Sequence, residues 1–165
     1  MAQWNKRTPE ISNLLNPPFC AVILYSAAAE YQKKAKSGTP FPLLYLILPI
    51  VLHKGTRSKV NYRSNMIVWL QRNPDVLIGF PERARSLITF ANEALEFILH
   101  QQVASISDGK FIVDKPISKS RMDRFDIATA DSEITDCIQK GIHVGRWFFN
   151  MRSDESIYAA WGVRP

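Results

Sequence analysis

The side chains with most capacity for chemistry are His53, His100 and His143, together with Cys20 and Cys137. A zinc site needs three or four such ligands at short, fixed separations, and none of these five has a second ligand at helical or turn spacing. Cys137 and His143 are six residues apart, more than one helical turn, so they cannot form a thiolate–imidazole nucleophile pair along a helix. Most carboxylates follow Asp75. Asp123, Asp126, Asp131, Glu133 and Asp136 make a mildly acidic stretch that reads as a wetted loop and helix start. The chain has no glycine-rich phosphate loop, no nucleophile elbow and no His-Glu-x-x-His. These patterns predict a protein that is not an enzyme and has no metal and no cofactor.

Charge is the more informative signal. Between Tyr31 and Pro74 there is no Asp or Glu, yet Lys33, Lys34, Lys36, Lys54, Arg57, Lys59, Arg63 and Arg72 all fall there, within a chain of net charge +6. Lysine and arginine replace condensed counterions on a polyanion, so such a window suits a phosphate backbone or an acidic protein. The three lysines at 33, 34 and 36 also suit the negative end of a helix dipole. Lys54, Arg57, Lys59 and Arg63 lie around a break between two helices, where a helix-turn-helix meets phosphates, and they are the candidate DNA-binding residues. A solvated turn is the competing reading. The aromatic residues near the C-terminus read either as core or as an interface, and Trp147, Tyr158, Trp161 and Arg164 are the candidate partner-binding residues.

The elements that must position these residues are mainly helical. With 46% apolar and 22% charged residues in 165, composition predicts one soluble globular domain. Asn16-Pro17 opens a helix that should run to about Gly38. A second helix begins near Pro42, apolar on nearly every face, which Pro49 should kink or end early. A third is expected over 64–71, with Met66, Ile67, Trp69 and Leu70 buried. From Pro81, apolar residues at Ala84, Leu87, Ile88, Ala91, Leu95, Ile98 and Leu99 predict one continuous helix. Alternation about Asp108-Gly109 then predicts a β-hairpin over 104–113. Asp131 can cap a further helix with Gly141 and Gly145 on one face, four residues apart as in close helix contacts. A short helix over 155–161 ends the chain.

Helices followed by a hairpin give the expected fold class: mainly α with a small β-hairpin, a winged-helix-like core plus C-terminal helices. The expected division is an N-terminal arm over 1–15, the core over 16–114, an exposed loop over 115–128 and helices over 129–165. No apolar run follows the polar, basic start, so no signal peptide is expected. The apolar stretch 41–52 is too short to cross a bilayer, which takes roughly 20 residues. Two thiols in apolar surroundings predict reduced cysteines and a cytoplasmic setting.

Several blocks carry a family resemblance: Leu14-Leu15-Asn16-Pro17-Pro18-Phe19-Cys20, Pro40-Phe41-Pro42-Leu43-Leu44 through His53-Lys54, and Trp69-Leu70. It continues through Gly79-Phe80 to Arg83-Ala84-Arg85, Gly145-Arg146-Trp147-Phe148 and the ending Trp161-Gly162-Val163-Arg164-Pro165. In their order and spacing the chain resembles the middle component of three-component ABC-ATPase (ABC-3C) systems. The Lamassu antiphage systems are members, with the accessory subunit LmuC in this role. The resemblance implies a non-catalytic adaptor on the heads of an SMC-like ABC ATPase, coupling DNA sensing to release of an effector, often a nuclease. Its expected partners are therefore that ATPase and effector, with double-stranded DNA a further candidate. The alternative is a free-standing winged-helix DNA-binding regulator.

Overall fold

The computed structural model describes residues 15–115 and 132–164. Asn16 starts helix α1 (Pro17–Ala35) as the spacing predicts: its Oδ1 accepts from Phe19 N at 2.7 Å, and Pro17 sits in the first turn, where no amide hydrogen is needed. The helix closes at Lys36, whose left-handed backbone (φ 56°) lets its N–H bond back to Gln32 O.

Strand β1 (Thr39–Pro40) has no signature in the sequence, because two residues cannot display alternation. It pairs with β3 (Lys110–Val113), which forms the predicted hairpin with β2 (Ala104–Ser107), giving an antiparallel sheet ordered β1-β3-β2. Asp108 and Gly109 both have positive φ (52° and 72°), the two-residue turn that matches strand twist. Pro40 is tolerated because β1 is an edge strand.

A 3-10 turn over Phe41–Leu43 leads into α2 (Leu44–Val51), in which every residue except Tyr45 is buried. Pro49 lies inside α2, and the helix stops soon after it, at Val51. Where only a polar break is expected, His53 Nδ1 accepts from Thr56 N (3.1 Å) and caps the short α3 (Lys54–Arg57). Helix α4 (Met66–Arg72) is capped by Asn65, with Met66, Trp69 and Leu70 buried; Ile67 is 37% exposed, contrary to its expected place in the core.

The single helix expected from Pro81 is two: α5 (Phe80–Ser86) and α6 (Ile88–His100), separated at Leu87 (φ −95°, ψ −1°). The apolar stripe serves two different neighbours. Phe80 and Ala84 pack beside α2 and Trp161, whereas Ala91, Ala94, Leu95 and Ile98 face α1. The break turns Ile88 out of the stripe to 43% exposure. Beyond the hairpin lie α7 (Ser132–Phe149) and α8 (Asp154–Ala160), the latter capped by Ser153. The expected arm, apart from Leu15, and the expected loop, apart from Lys115, fall outside the described residues, as does the Asp131 cap. No helix among the described residues is long and apolar enough to cross a membrane.

Helices α1 and α7 run side by side in the same direction, and glycine sets their distance. A Cβ on Gly145 would stand 2.3 Å from Ala27 O; one on Gly141 would stand 3.2 Å from Ile23 Cγ2. The first contact is with backbone and cannot yield, while the second is with a side chain that can. Gly145→Ala is therefore expected to destabilise the fold by about 3 kcal/mol or more. Gly141→Ala should stay within about 1 kcal/mol of the parent, since Ala is the better helix former. Urea denaturation of the two variants checks the contrast; equal midpoints would refute it.

Candidate functional site

The segment from Arg57 to Ser64 carries most of the candidate DNA-binding residues, and it is laid along α7 turn by turn. Arg57 Nε and Nη2 donate to Asp136 Oδ2 (3.0 Å) and Glu133 Oε1 (2.6 Å), while Nη1 donates to Val51 O (2.9 Å). One turn on, Lys140 Nζ donates to Val60 O at 2.7 Å and lies 4.5 Å from the centre of the Tyr62 ring. Next, Tyr62 meets His143 edge to face at 4.9 Å, and finally Trp147 Nε1 donates to Ser64 O at 2.9 Å.

This geometry corrects the assignment of Arg57. Its residue surface is 5% exposed and its guanidinium is spent on two carboxylates and a carbonyl, so it holds the loop and offers nothing to a phosphate. Lys54 and Arg63 are exposed, and Asn61 Oδ1 shapes the turn that presents Arg63 by accepting from Arg63 N and Ser64 N. Lys59 is exposed but paired with Asp75, whose carboxyl it holds below the usual range through their hydrogen bond. Lys33, Lys34 and Lys36 stand apart from these, at the end of α1 beside the sheet.

Of the candidate partner-binding aromatics, Trp147 and Trp161 lie in the core (1% and 0% exposed), whereas Tyr158, largely buried, keeps an edge in the wall of a groove. Trp69 stacks tilted against Trp147 (4.9 Å) and Trp161 (6.1 Å), and Phe80 against Trp161 (4.5 Å). Each indole N–H finds an acceptor: Trp69 at Lys59 O (2.7 Å), Trp147 at Ser64 O and Trp161 at Met66 Sδ (3.3 Å). Sequence alone leaves both uses open, because an indole's amphipathic ring serves a core and an interface equally well and only the tertiary structure decides.

Arg164, by contrast, is exposed, and it stands at the rim of a groove of about 600 Å³. Phe41, Tyr45 and Leu46 line it from one side, Ala84, Arg85 and Ile88 from another, and Tyr158 with Val163 from a third. The last wall is shaped by Gly162 (φ 67°): Gly162 N bonds to Ala159 O and Val163 N to Tyr158 O, a helix stop that turns the chain back over the groove. Burial, followed by Tyr45 and Asp154, pushes the Tyr158 phenol up to about 12, and its protonated hydroxyl donates to Pro42 O at 2.5 Å. Tyr45 donates likewise to Asn92 Oδ1 at 2.7 Å. The groove escapes sequence reading because its walls come from three segments far apart in the chain, none with a pattern of its own.

Neither thiol is poised as a nucleophile. Cys20 and Cys137 are buried and not joined in a disulfide, and burial, then Glu93 and Cys137, pushes the Cys20 thiol up to about 12. Among the described residues no group of three or more His, Cys, Asp or Glu is placed to hold a metal ion. His143 is buried between Tyr62 and Trp147 with neither ring nitrogen in hydrogen-bond geometry. Burial lowers its pKa, Arg146 and Lys140 add to the effect, and the nearby backbone of Asn61 opposes it.

Compared with known proteins, residues 4–165 match the family described as ABC-three component (ABC-3C) system Middle Component 3. No curated protein and no solved structure matches the chain.

Arg57→Ala should destabilise the protein by roughly 2–3 kcal/mol, read from urea midpoints, because it strips a carbonyl and two half-exposed carboxylates of a charged partner. A loss below about 0.5 kcal/mol would show the clamp to be ornamental. The lowered pKa of His143 means that the unfolded chain takes up the proton more readily. Its contribution to stability is thus present above the ordinary value of 6.5 and is lost as pH falls through the lower, folded-state value. His143→Phe, which keeps a ring between Tyr62 and Trp147, should flatten the fall in urea midpoint between about pH 7.5 and 5.5. An unchanged slope would mean that His143 does not titrate there.

Proposed function

Because the chain belongs to the Middle Component 3 family of ABC-3C systems, we propose that it acts by docking, as a non-catalytic adaptor that bridges an SMC-like ABC ATPase and an effector in a Lamassu-type defence complex. One observation carries this reading. Cys20, Cys137, His143 and Arg57 are buried in the fold, His53 is engaged in capping α3, and no group placed to hold a metal occurs among the described residues. An apolar groove rimmed by two arginines and the cations Lys54 and Arg63, by contrast, face outward. Such a molecule meets partners by surface complementarity.

Within that reading, Lys54, Lys59 and Arg63 are the residues that contact DNA, with Arg57 holding their loop. A winged-helix arrangement of the core is part of the same proposal. In its favour, β1 follows the first helix and the sheet is ordered β1-β3-β2 with a hairpin at its edge. The helix that enters the hairpin, where a winged helix carries its reading helix, is α6. Its outer face offers Thr89, Asn92 and Glu96 beside half-buried Glu93. Carboxylates there repel phosphates, which disfavours the free-standing DNA-reading regulator and leaves DNA contact to the basic loop.

Co-expressed with the other components of its system, the protein should co-elute with them from a sizing column; elution alone would sink the adaptor reading. Lys54→Glu with Arg63→Glu should weaken DNA binding by the complex and lower the salt slope by about 0.9 for each phosphate that is no longer neutralised. Lys59→Glu should do less, since Asp75 already neutralises that lysine. A slope unmoved by the double variant would remove the loop from DNA contact.

A further inference from the structure

We propose that the groove closed by Arg85 and Arg164 is a docking site for a segment of a partner protein that carries apolar side chains beside carboxylates. The inference rests on the adaptor reading and adds the occupant's chemistry. Three observations lead to it.

The first is charge. Among the described residues, the charged side chains lining the groove are Arg85 and Arg164, both exposed, with no Asp or Glu beside them in its walls. An occupant of positive or neutral character would leave two guanidiniums unanswered at the rim, whereas one with Asp or Glu beside its apolar anchor answers both, with bidentate geometry open to each.

The second is the floor. Phe41, Tyr45, Leu46 and Ile88 give an apolar surface, and Ile88 is 43% exposed because the α5–α6 break turns it outward. The two phenols that could have fixed a small ligand already donate internally, Tyr158 to Pro42 O and Tyr45 to Asn92 Oδ1. A small polar ligand needs convergent polar groups at depth, and this groove keeps its free polarity at the rim. That is the pattern of a groove for an amphipathic segment, apolar anchors inward and charges at the edge.

The third is preorganisation. Arg164 follows the Gly162 stop, and Trp161, fully buried against Phe80, anchors that stop to the helix bearing Arg85. The backbones that carry the two arginines are thus joined through one buried ring contact, which lowers the ordering cost of binding.

The experiment uses the assembled complex. A photo-crosslinking phenylalanine analogue at Ile88 is expected to capture one segment of another component, identified by mass spectrometry, with at least two Asp or Glu within a helical turn of an apolar residue. Arg85→Glu with Arg164→Glu should weaken association about tenfold or more and make it less salt-sensitive, while thermal unfolding of the isolated variant matches the parent. Capture of a second copy of this chain, or of a segment without carboxylates, overturns the proposal. So does an affinity within about twofold of the parent in a complex that still forms, and the adaptor reading then survives. If the parent protein forms no complex at all, the adaptor reading fails instead.

Discussion

The close approach of α1 and α7 at Gly145 is the constraint on which the rest depends. With Ala27 O where a Cβ would be, the two helices lie in backbone contact, an approach that only glycine at this position permits. Everything α7 holds then falls into place along it. Arg146 Nε reaches Glu30 Oε1 at 2.7 Å on one side. On the other, Asp136, Lys140, His143 and Trp147 meet the loop from Arg57 to Ser64 at successive turns. A shift of α7 by one residue would part all of these contacts at once, so the loop's conformation is a tertiary property imposed from far away in the chain.

That dependence explains what the sequence can and cannot show. Local signals are legible where the physics is local: the Asn16-Pro17 start, the Asp108-Gly109 turn, the early end of α2 after Pro49 and the paired glycines of α7. The helix from Pro81 reads as continuous because periodicity reports that residues are buried without reporting against what. Ala84 and Ala91 fit one stripe, yet they serve different neighbours, and a bend at Leu87 satisfies both better than a straight helix. Strand β1 is invisible because its only evidence is the partner strand, distant in sequence.

The basic window shows the same limit in charge. Between Tyr31 and Pro74 no acid offsets the cations locally, so composition alone predicts a uniformly cationic surface. The acids that answer Arg57 are 76 and 79 residues away, and Lys59 finds Asp75 just beyond the window's edge. Clustering in the sequence is real and still overestimates free charge. The C-terminal tryptophans are underdetermined in the opposite sense: their amphipathic rings read equally as core or as interface, and each of these finds a ring to stack on and an acceptor for its N–H inside.

Burial of these groups also bears on how such a protein can work. A side chain held by several partners resists repurposing, because freeing Arg57 or the indoles for an outside ligand would first unmake the contacts that position the loop and the groove. The outward features inherit their rigidity from that interior: the Arg63 turn from Trp147 and Ser64, the Arg164 rim from Trp161 and Gly162. Two surfaces fixed to one core keep a constant separation and orientation. In the proposed adaptor, that constancy is what lets an event at one partner be felt at another without any chemistry in between, since a rigid connector transmits displacement that a flexible one would absorb.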